Sequence, residues 1–197
     1  MGGDGRPRVA AAHGRGAVVG SRRGIINVRY YRNDAEGRAR ARGTVRYLLE
    51  ESEAARGAGG LTAWTSAGDE LDRRALDDWM RREQGAHTYT YTLVISPAPG
   101  ETEAWTEEDW RRHTEDLMQE IEARHPEASW AAVWHDDPEH PHVHVLLEVD
   151  RTLRRGELRE LNAAADRSVE KINDREAGLE AFLEIDASRG AEEEQGL

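Results

Sequence analysis

The stretch His135-Asp136-Asp137-Pro138-Glu139-His140-Pro141-His142-Val143-His144-Val145-Leu146-Leu147 decides how this chain reads. In a strand, alternate side chains share a face, so His142 and His144 stand side by side while Val143 and Val145 turn the other way into a core. A solvated histidine tract has no reason to alternate with valines in this way. The preceding Trp130-Ala131-Ala132-Val133-Trp134 reads as a second strand, and Asp137-Pro138-Glu139 as the turn that reverses the chain. An antiparallel hairpin then carries His135 back to the His142/His144 pair. Three neutral imidazoles on one wall, with coordination positions left open, suit a catalytic metal better than a closed structural one. Asp137 is placed to orient a ligand imidazole. His140, just before Pro141, reads as a bystander in the turn.

Working outward, Gly24 to Tyr31 reads as a first strand, rich in β-branched and aromatic residues. A helical pattern runs from about Arg38 through Val45, Leu48 and Leu49 and ends near Gly57 to Gly60. Residues 61–65 are a candidate short strand. Asp69 is read as the N-cap of a helix carrying Leu71, Ala75, Leu76, Trp79 and Met80. His87 to Ser96 alternates as a strand and is stopped by the turn residues Pro97 to Gly100. Thr106, with Asp109 three residues on, opens an amphipathic helix striped by Trp110, Leu117 and Ile121. Strands at 130–136 and 142–149 follow, then a helix over 157–184 with an expected interruption near Gly178. This order predicts an α+β domain with a central antiparallel or mixed sheet flanked by helices. The expected organisation is a flexible Arg/Gly/Ala-rich segment at 1–23, one domain at 24–185 and an acidic tail at 186–197.

The 197 residues have room for one sizeable core, and the absence of cysteine restricts any metal to nitrogen and oxygen ligands. With no apolar run of about eighteen residues and no apolar leader, the expectation is a soluble cytoplasmic protein without membrane contact. The net charge of −12 is unevenly spread. Residues 1–47 carry eleven arginines against Asp4, Asp34 and Glu36, so a basic arm precedes an acidic body and can bind phosphate locally.

With the metal strand placed, the chain resembles the relaxases of conjugative and mobilisable plasmids, nucleases with the HUH metal motif. Their histidine motif matches His135, Asp137, His142 and His144 here without a gap. Thr88 to Pro97 is similar to the family's strand ending in Ser-Pro, and Val45-Arg46-Tyr47-Leu48-Leu49-Glu50 resembles the segment that carries the nucleophilic tyrosine. The likeness extends loosely over about residues 24–175. Glu148 departs from the pattern, since relatives often have Asn after the metal strand.

The resemblance implies an HUH-endonuclease fold and nicking and rejoining of one DNA strand through a 5′-phosphotyrosine in plasmid or mobile-element transfer. Its implied partner is single-stranded DNA at an origin of transfer, with an accessory relaxosome protein as a candidate further partner. The implied cofactor is Mg²⁺ or Mn²⁺; three imidazoles alone also suit Zn²⁺. Tyr47 is the expected nucleophile, with Tyr30 and Tyr31, one on each face of their strand, in reserve. Arg29, Arg42 and Arg46 are the candidate phosphate contacts, because guanidinium groups bind phosphate bidentately. Alternatives that share these residues are a rolling-circle initiator or transposase with the same metal motif, a noncatalytic DNA-binding relative, and an unrelated three-histidine metal hydrolase.

Overall fold

The computed structural model describes residues 16–20, 23–56, 62–137 and 140–195, with the side chains of 16–20, 25, 48–56, 62 and 179–195 outside that description. The strands are β1 (Gly16–Gly20), β2 (Gly24–Arg32), β3 (Thr62–Thr65), β4 (Tyr89–Pro97), β5 (Ser129–His135) and β6 (His142–Val149). They form one sheet in the order β1-β2-β4-β6-β5-β3, with every pairing antiparallel. Four helices, α1 (Ala35–Arg56), α2 (Arg73–Ala86), α3 (Glu107–Glu122) and α4 (Arg155–Gln195), flank it. The α+β class and the antiparallel sheet are therefore as expected.

Alternation divides the sheet into two faces. Val143, Val145, Leu147 and Val149 of β6 join Leu93, Ile95 and Trp130 in a core closed by Trp110, Leu117 and Ile121 of α3 and Leu161, Val169 and Ile172 of α4. On the other face Leu146, Val133 and Ala131 meet Ala41 and Val45 of α1 and Leu76, Trp79 and Met80 of α2. This second layer is thinner. Toward the Gly24/Pro97 end of the sheet it leaves Asn27, Val94 and His142 only partly buried and Arg29 exposed.

Helix ends follow their local chemistry, with corrections to the expected boundaries. Thr106 and Asp109 form the expected capping box of α3. Asp34 Oδ1 accepts from the Gly37 amide at 2.9 Å, so α1 starts at Ala35 instead of near Arg38. A Cβ at Gly37 would lie 1.9 Å from the Arg32 carbonyl oxygen, so only glycine fits that start. The cap of α2 is Asp72, which accepts from Ala75 N–H at 2.7 Å, and not Asp69. Residues 66–71 are instead committed to a turn at Gly68 (φ 81°) that returns to β3, where Leu71 N–H donates to the Ala63 carbonyl.

Residues 16–20, read from sequence within a flexible segment, form an edge strand on β2, and the ordered fold reaches further toward the N-terminus than residue 24. Val18 and Val19 are strand formers, and an edge strand needs no two-sided pattern. Helix α4 runs through Gly178 to Gln195 without the expected interruption, so most of the acidic tail is helical. One glycine costs a helix only about 1 kcal/mol and does not stop it. The expected helix end at 57–60 and the Pro138-Glu139 turn lie outside the described residues.

One polar group is sealed between α2 and the sheet. Asn33 Nδ2 donates to the His87 carbonyl (3.0 Å) and to Glu148 Oε2 (2.9 Å), which fixes its Oδ1 as an acceptor 2.6 Å from Thr90 Oγ. The Thr90 hydroxyl faces both Asn33 Oδ1 and Glu148 Oε1, 2.7 Å away, and shares its one hydrogen between these two acceptors. Burial, opposed by these hydrogen bonds, pushes the Glu148 carboxyl up to about 7. Between the ordinary carboxylate range and pH 7 the folded state holds a proton that the unfolded chain releases, so stability falls as pH rises through that window. At about 1.4 kcal/mol per unit the loss is roughly 3 kcal/mol. Chemical denaturation from pH 4.5 to 7.5 should show this descent, and Glu148→Gln should flatten it.

Candidate metal centre

His135 and His142 are register partners that close the β5/β6 hairpin, and His144 follows on the same face of β6. Their ring centroids lie 4.7 to 4.9 Å apart, and one ligand nitrogen from each falls within 4.8 Å of the others. His142 Nε2 and His144 Nε2 are 2.9 Å apart. Two nitrogens bound at ~2.1 Å to one ion at a right angle would stand ~3.0 Å apart, so the pair is spaced as ligands of a single ion. His135 and His144 are buried and His142 borders solvent, which gives a half-walled site open on one side. Burial first, then the neighbouring His142 and His135, push the His144 imidazole down to about 2. It is therefore neutral across the physiological range, which is the form that ligates. The donor set fits a divalent ion.

The turn beyond β5 sets the tautomer. His142 Nδ1 lies 2.7 Å from the His140 carbonyl, so Nδ1 carries the hydrogen and Nε2 keeps its lone pair for a metal. The His140 amide in turn lies 3.2 Å from the Asp137 carbonyl and 3.4 Å from its Oδ1. His140, read from sequence as a bystander, thus supports a ligand through its backbone, and Asp137 in turn holds the His140 amide.

The other candidate residues fall into separate places. Tyr30 lies on the opposite face, stacked on Tyr91 with ring centroids 5.2 Å apart. Tyr31 shares the imidazole face but pairs with Thr90, opposite Glu148. That row is four residues from His144, or about 13 Å along the strand. Tyr47 is the one large hydrophobic side chain exposed among the described residues. Two residues from buried Val45, it projects from the solvent side of α1. Val45 itself packs in the cluster with Val133, the register partner of His144, and Leu146, the next residue on that face.

Arg29 is exposed on the imidazole face, two strands from β6, roughly 10 Å across the sheet. Arg42 and Arg46 line a cavity between α1 and α2 instead. Arg73, Arg74 and Arg81 of α2, which the sequence reading passed over, line it too. The signal for them was two cations in the first turn of a helix, where the macrodipole disfavours positive charge.

A family model described as "Relaxase: MobA/VirD2-like, nuclease domain" matches residues 47–175. No curated protein and no solved structure matches the chain.

The double variant His142→Ala/His144→Ala should lose Mn²⁺ binding in isothermal titration. Asp137→Ala should weaken Mn²⁺ binding by about 10- to 100-fold, the usual cost of losing support for a ligand. Unchanged affinity in the double variant would overturn the assignment of the site.

Proposed function

The chain belongs to the MobA/VirD2-like relaxase family through its nuclease domain. From that premise we propose that it is a cytoplasmic, metal-dependent nickase that cuts and rejoins one DNA strand at an origin of transfer through a tyrosine. The observation that carries the reading is that His135, His142 and His144 offer ligand nitrogens within 4.8 Å of one another at the open end of the sheet. A divalent ion held there, Mg²⁺ or Mn²⁺ by family likeness, supplies positive charge to the scissile phosphate oxygens. The imidazoles occupy one side of that point and leave the solvent side for the phosphate. Arg29, exposed on the same face, is the proposed bidentate contact to a neighbouring phosphate.

Tyr47 is the proposed nucleophile. The family match begins at this residue, its ring is exposed, and Val45 ties its helix to the apolar floor beside His144. The phenolic oxygen bonds to phosphorus as the P–O3′ bond breaks, giving a 5′-phosphotyrosine and a 3′-hydroxyl once the leaving oxygen takes a proton. Attack by that 3′-hydroxyl reverses the step and releases the phenol. In-line attack needs the oxygen at about 3–3.5 Å from phosphorus. An accessory protein that melts the origin is a further partner under this reading.

The test is a denaturing gel of protein incubated with labelled single-stranded oligonucleotides carrying the origin sequence and Mn²⁺. A covalent protein–DNA band that needs metal and disappears in Tyr47→Phe is expected. A band that persists in Tyr47→Phe and is lost in Tyr31→Phe or Tyr30→Phe would move the nucleophile. Cleavage with no covalent band would favour a water-activating hydrolase at the same imidazoles.

A further inference from the structure

We propose that the Glu148 carboxyl is a pH-operated latch: with its proton it seats α1 on the sheet, and without it α1 lifts. Its place is the junction of the two layers. Glu148 is fully buried on β6, in the row where Tyr31 of β2 pairs with Thr90 of β4 and Thr90 with Glu148. Asn33, two residues before α1, donates to its Oε2 at 2.9 Å. Thr90 Oγ lies 2.7 and 2.9 Å from its two oxygens. The buried Gln84 of α2 donates to Thr90 Oγ at 3.3 Å, and its own Oε1 accepts from Arg42 of α1 at 3.3 Å. Two strands and both helices of the thinner layer therefore meet at one carboxyl.

The number of hydrogens decides what the proton does. Asn33 Oδ1 and Glu148 Oε1 both face Thr90 Oγ, at 2.6 and 2.7 Å, and the hydroxyl has one hydrogen for the two. Asn33 Nδ2 adds none to this chain, since it donates to the His87 carbonyl and to Glu148 Oε2. A proton on the carboxyl supplies the missing hydrogen and removes a buried charge. Ionisation leaves the three oxygens one hydrogen short, at a residue with no solvent exposure.

Among the described residues no cation touches the carboxylate. On α2 the charged neighbour is Glu83, itself acidic, and His87 beyond it faces Glu83 at 3.6 Å and Asp150 at 3.5 Å. On α1, Arg42 stops at Gln84, and Arg38 Nη1 donates to the Asn33 carbonyl at 2.5 Å, so both guanidinium groups bear on the cluster only through neutral groups. Tyr31 is the titratable residue in the row on β2, and Ser129 is the partner on β5. Burial, opposed by the Asn33 and Thr90 hydrogen bonds and aided by Glu83, holds the carboxyl up at about 7.

Helix α1 is the element with least else to hold it. Among its residues with described side chains only Gly37, Ala41 and Val45 are buried, one narrow stripe, whereas α3 and α4 share a core of large apolar side chains. The links through Asn33 at its start and Arg42 beside Val45 are thus a large part of its attachment. Lifting α1 lets the carboxylate hydrate and return to its ordinary range, so opening becomes easier by about tenfold per pH unit up to pH 7 and by no more above it. Because α1 carries Tyr47, the latch governs how that tyrosine is held, and this consequence alone rests on the relaxase reading above.

The chain has no cysteine, so Val45→Cys places a single thiol under α1 and Val169→Cys a single thiol under α4, each with little change in volume. Labelling of each full-length variant by a thiol reagent is followed from pH 5 to 8.5, and every rate is divided by that of a free small thiol at the same pH. The normalised Val45→Cys rate should rise about a hundredfold from pH 5 to 7 and then level off. Adding Glu148→Gln, whose amide hydrogens are present at every pH, should make the profile flat. Val169→Cys should label at least about tenfold more slowly throughout, because only wider unfolding exposes it. A flat profile in the Val45→Cys chain overturns the latch even where Glu148→Gln does not fold. A slope that survives Glu148→Gln assigns the titration to another group and overturns it too. Equal rates at the two thiols do the same, since the opening would then be global. No DNA or metal enters the measurement, so its outcome is independent of the nickase reading.

Discussion

Strand β6 is bonded to β4 on one side and β5 on the other, so its backbone groups are spent within the sheet and its side chains can only alternate between two faces. Val143, Val145, Leu147 and Val149 are buried against the α3/α4 core. A slip of one residue would turn His142 and His144 into that core and lift four apolar side chains out of it, at about 1.5–3 kcal/mol for each. The register of the central strand is therefore held by apolar burial, and the imidazoles inherit it. Because His135 is paired to His142 through the same hairpin, the three nitrogens are gathered before any ion arrives. Little ordering entropy is left to be lost when an ion binds.

The two helical layers serve different ends. The α3/α4 layer carries large apolar side chains and closes its face of the sheet. The α1/α2 layer is anchored by a smaller cluster and by the sealed Asn33, Thr90 and Glu148 group, and stops short of the imidazoles. Partial coverage costs stability and provides access. Arg29, the open side of the imidazoles and the exposed Tyr47 all belong to the layer whose packing is incomplete.

The hairpin was legible in the chain because its signal is local: a period of two, a turn and a chelate spacing need no knowledge of the rest of the fold. The capping box at Thr106 was legible for the same reason. Asp69 and Asp72 are equally good caps by type, and only the return of residues 66–71 onto β3 decides between them. The edge strand at 16–20 carries no two-sided pattern that would distinguish it from a loop. Sequence placed Tyr30 and Tyr31 on opposite faces, but which face holds the metal site depends on the strand order. The arginine groove was the least visible feature. Its lining comes from two helices separated by β3, and only the fold brings Arg42 and Arg46 beside Arg73, Arg74 and Arg81.

The acidic composition is compatible with a nucleic-acid partner once charge is located and not summed. Exposed Glu108, Glu115, Glu160, Glu170 and Asp174 sit on α3 and α4, behind the sheet from the imidazoles. A sheet and a helical layer each add about 10 Å, so these carboxylates lie beyond the ~8 Å screening length of physiological salt as seen from the far face. Arginines on the α1/α2 side act at contact, where screening is weak, and the His144 imidazole contributes no charge of its own. Acidic residues behind the sheet oppose approach of a polyanion from that side, so the net charge of −12 is compatible with a nucleic-acid partner on the imidazole side.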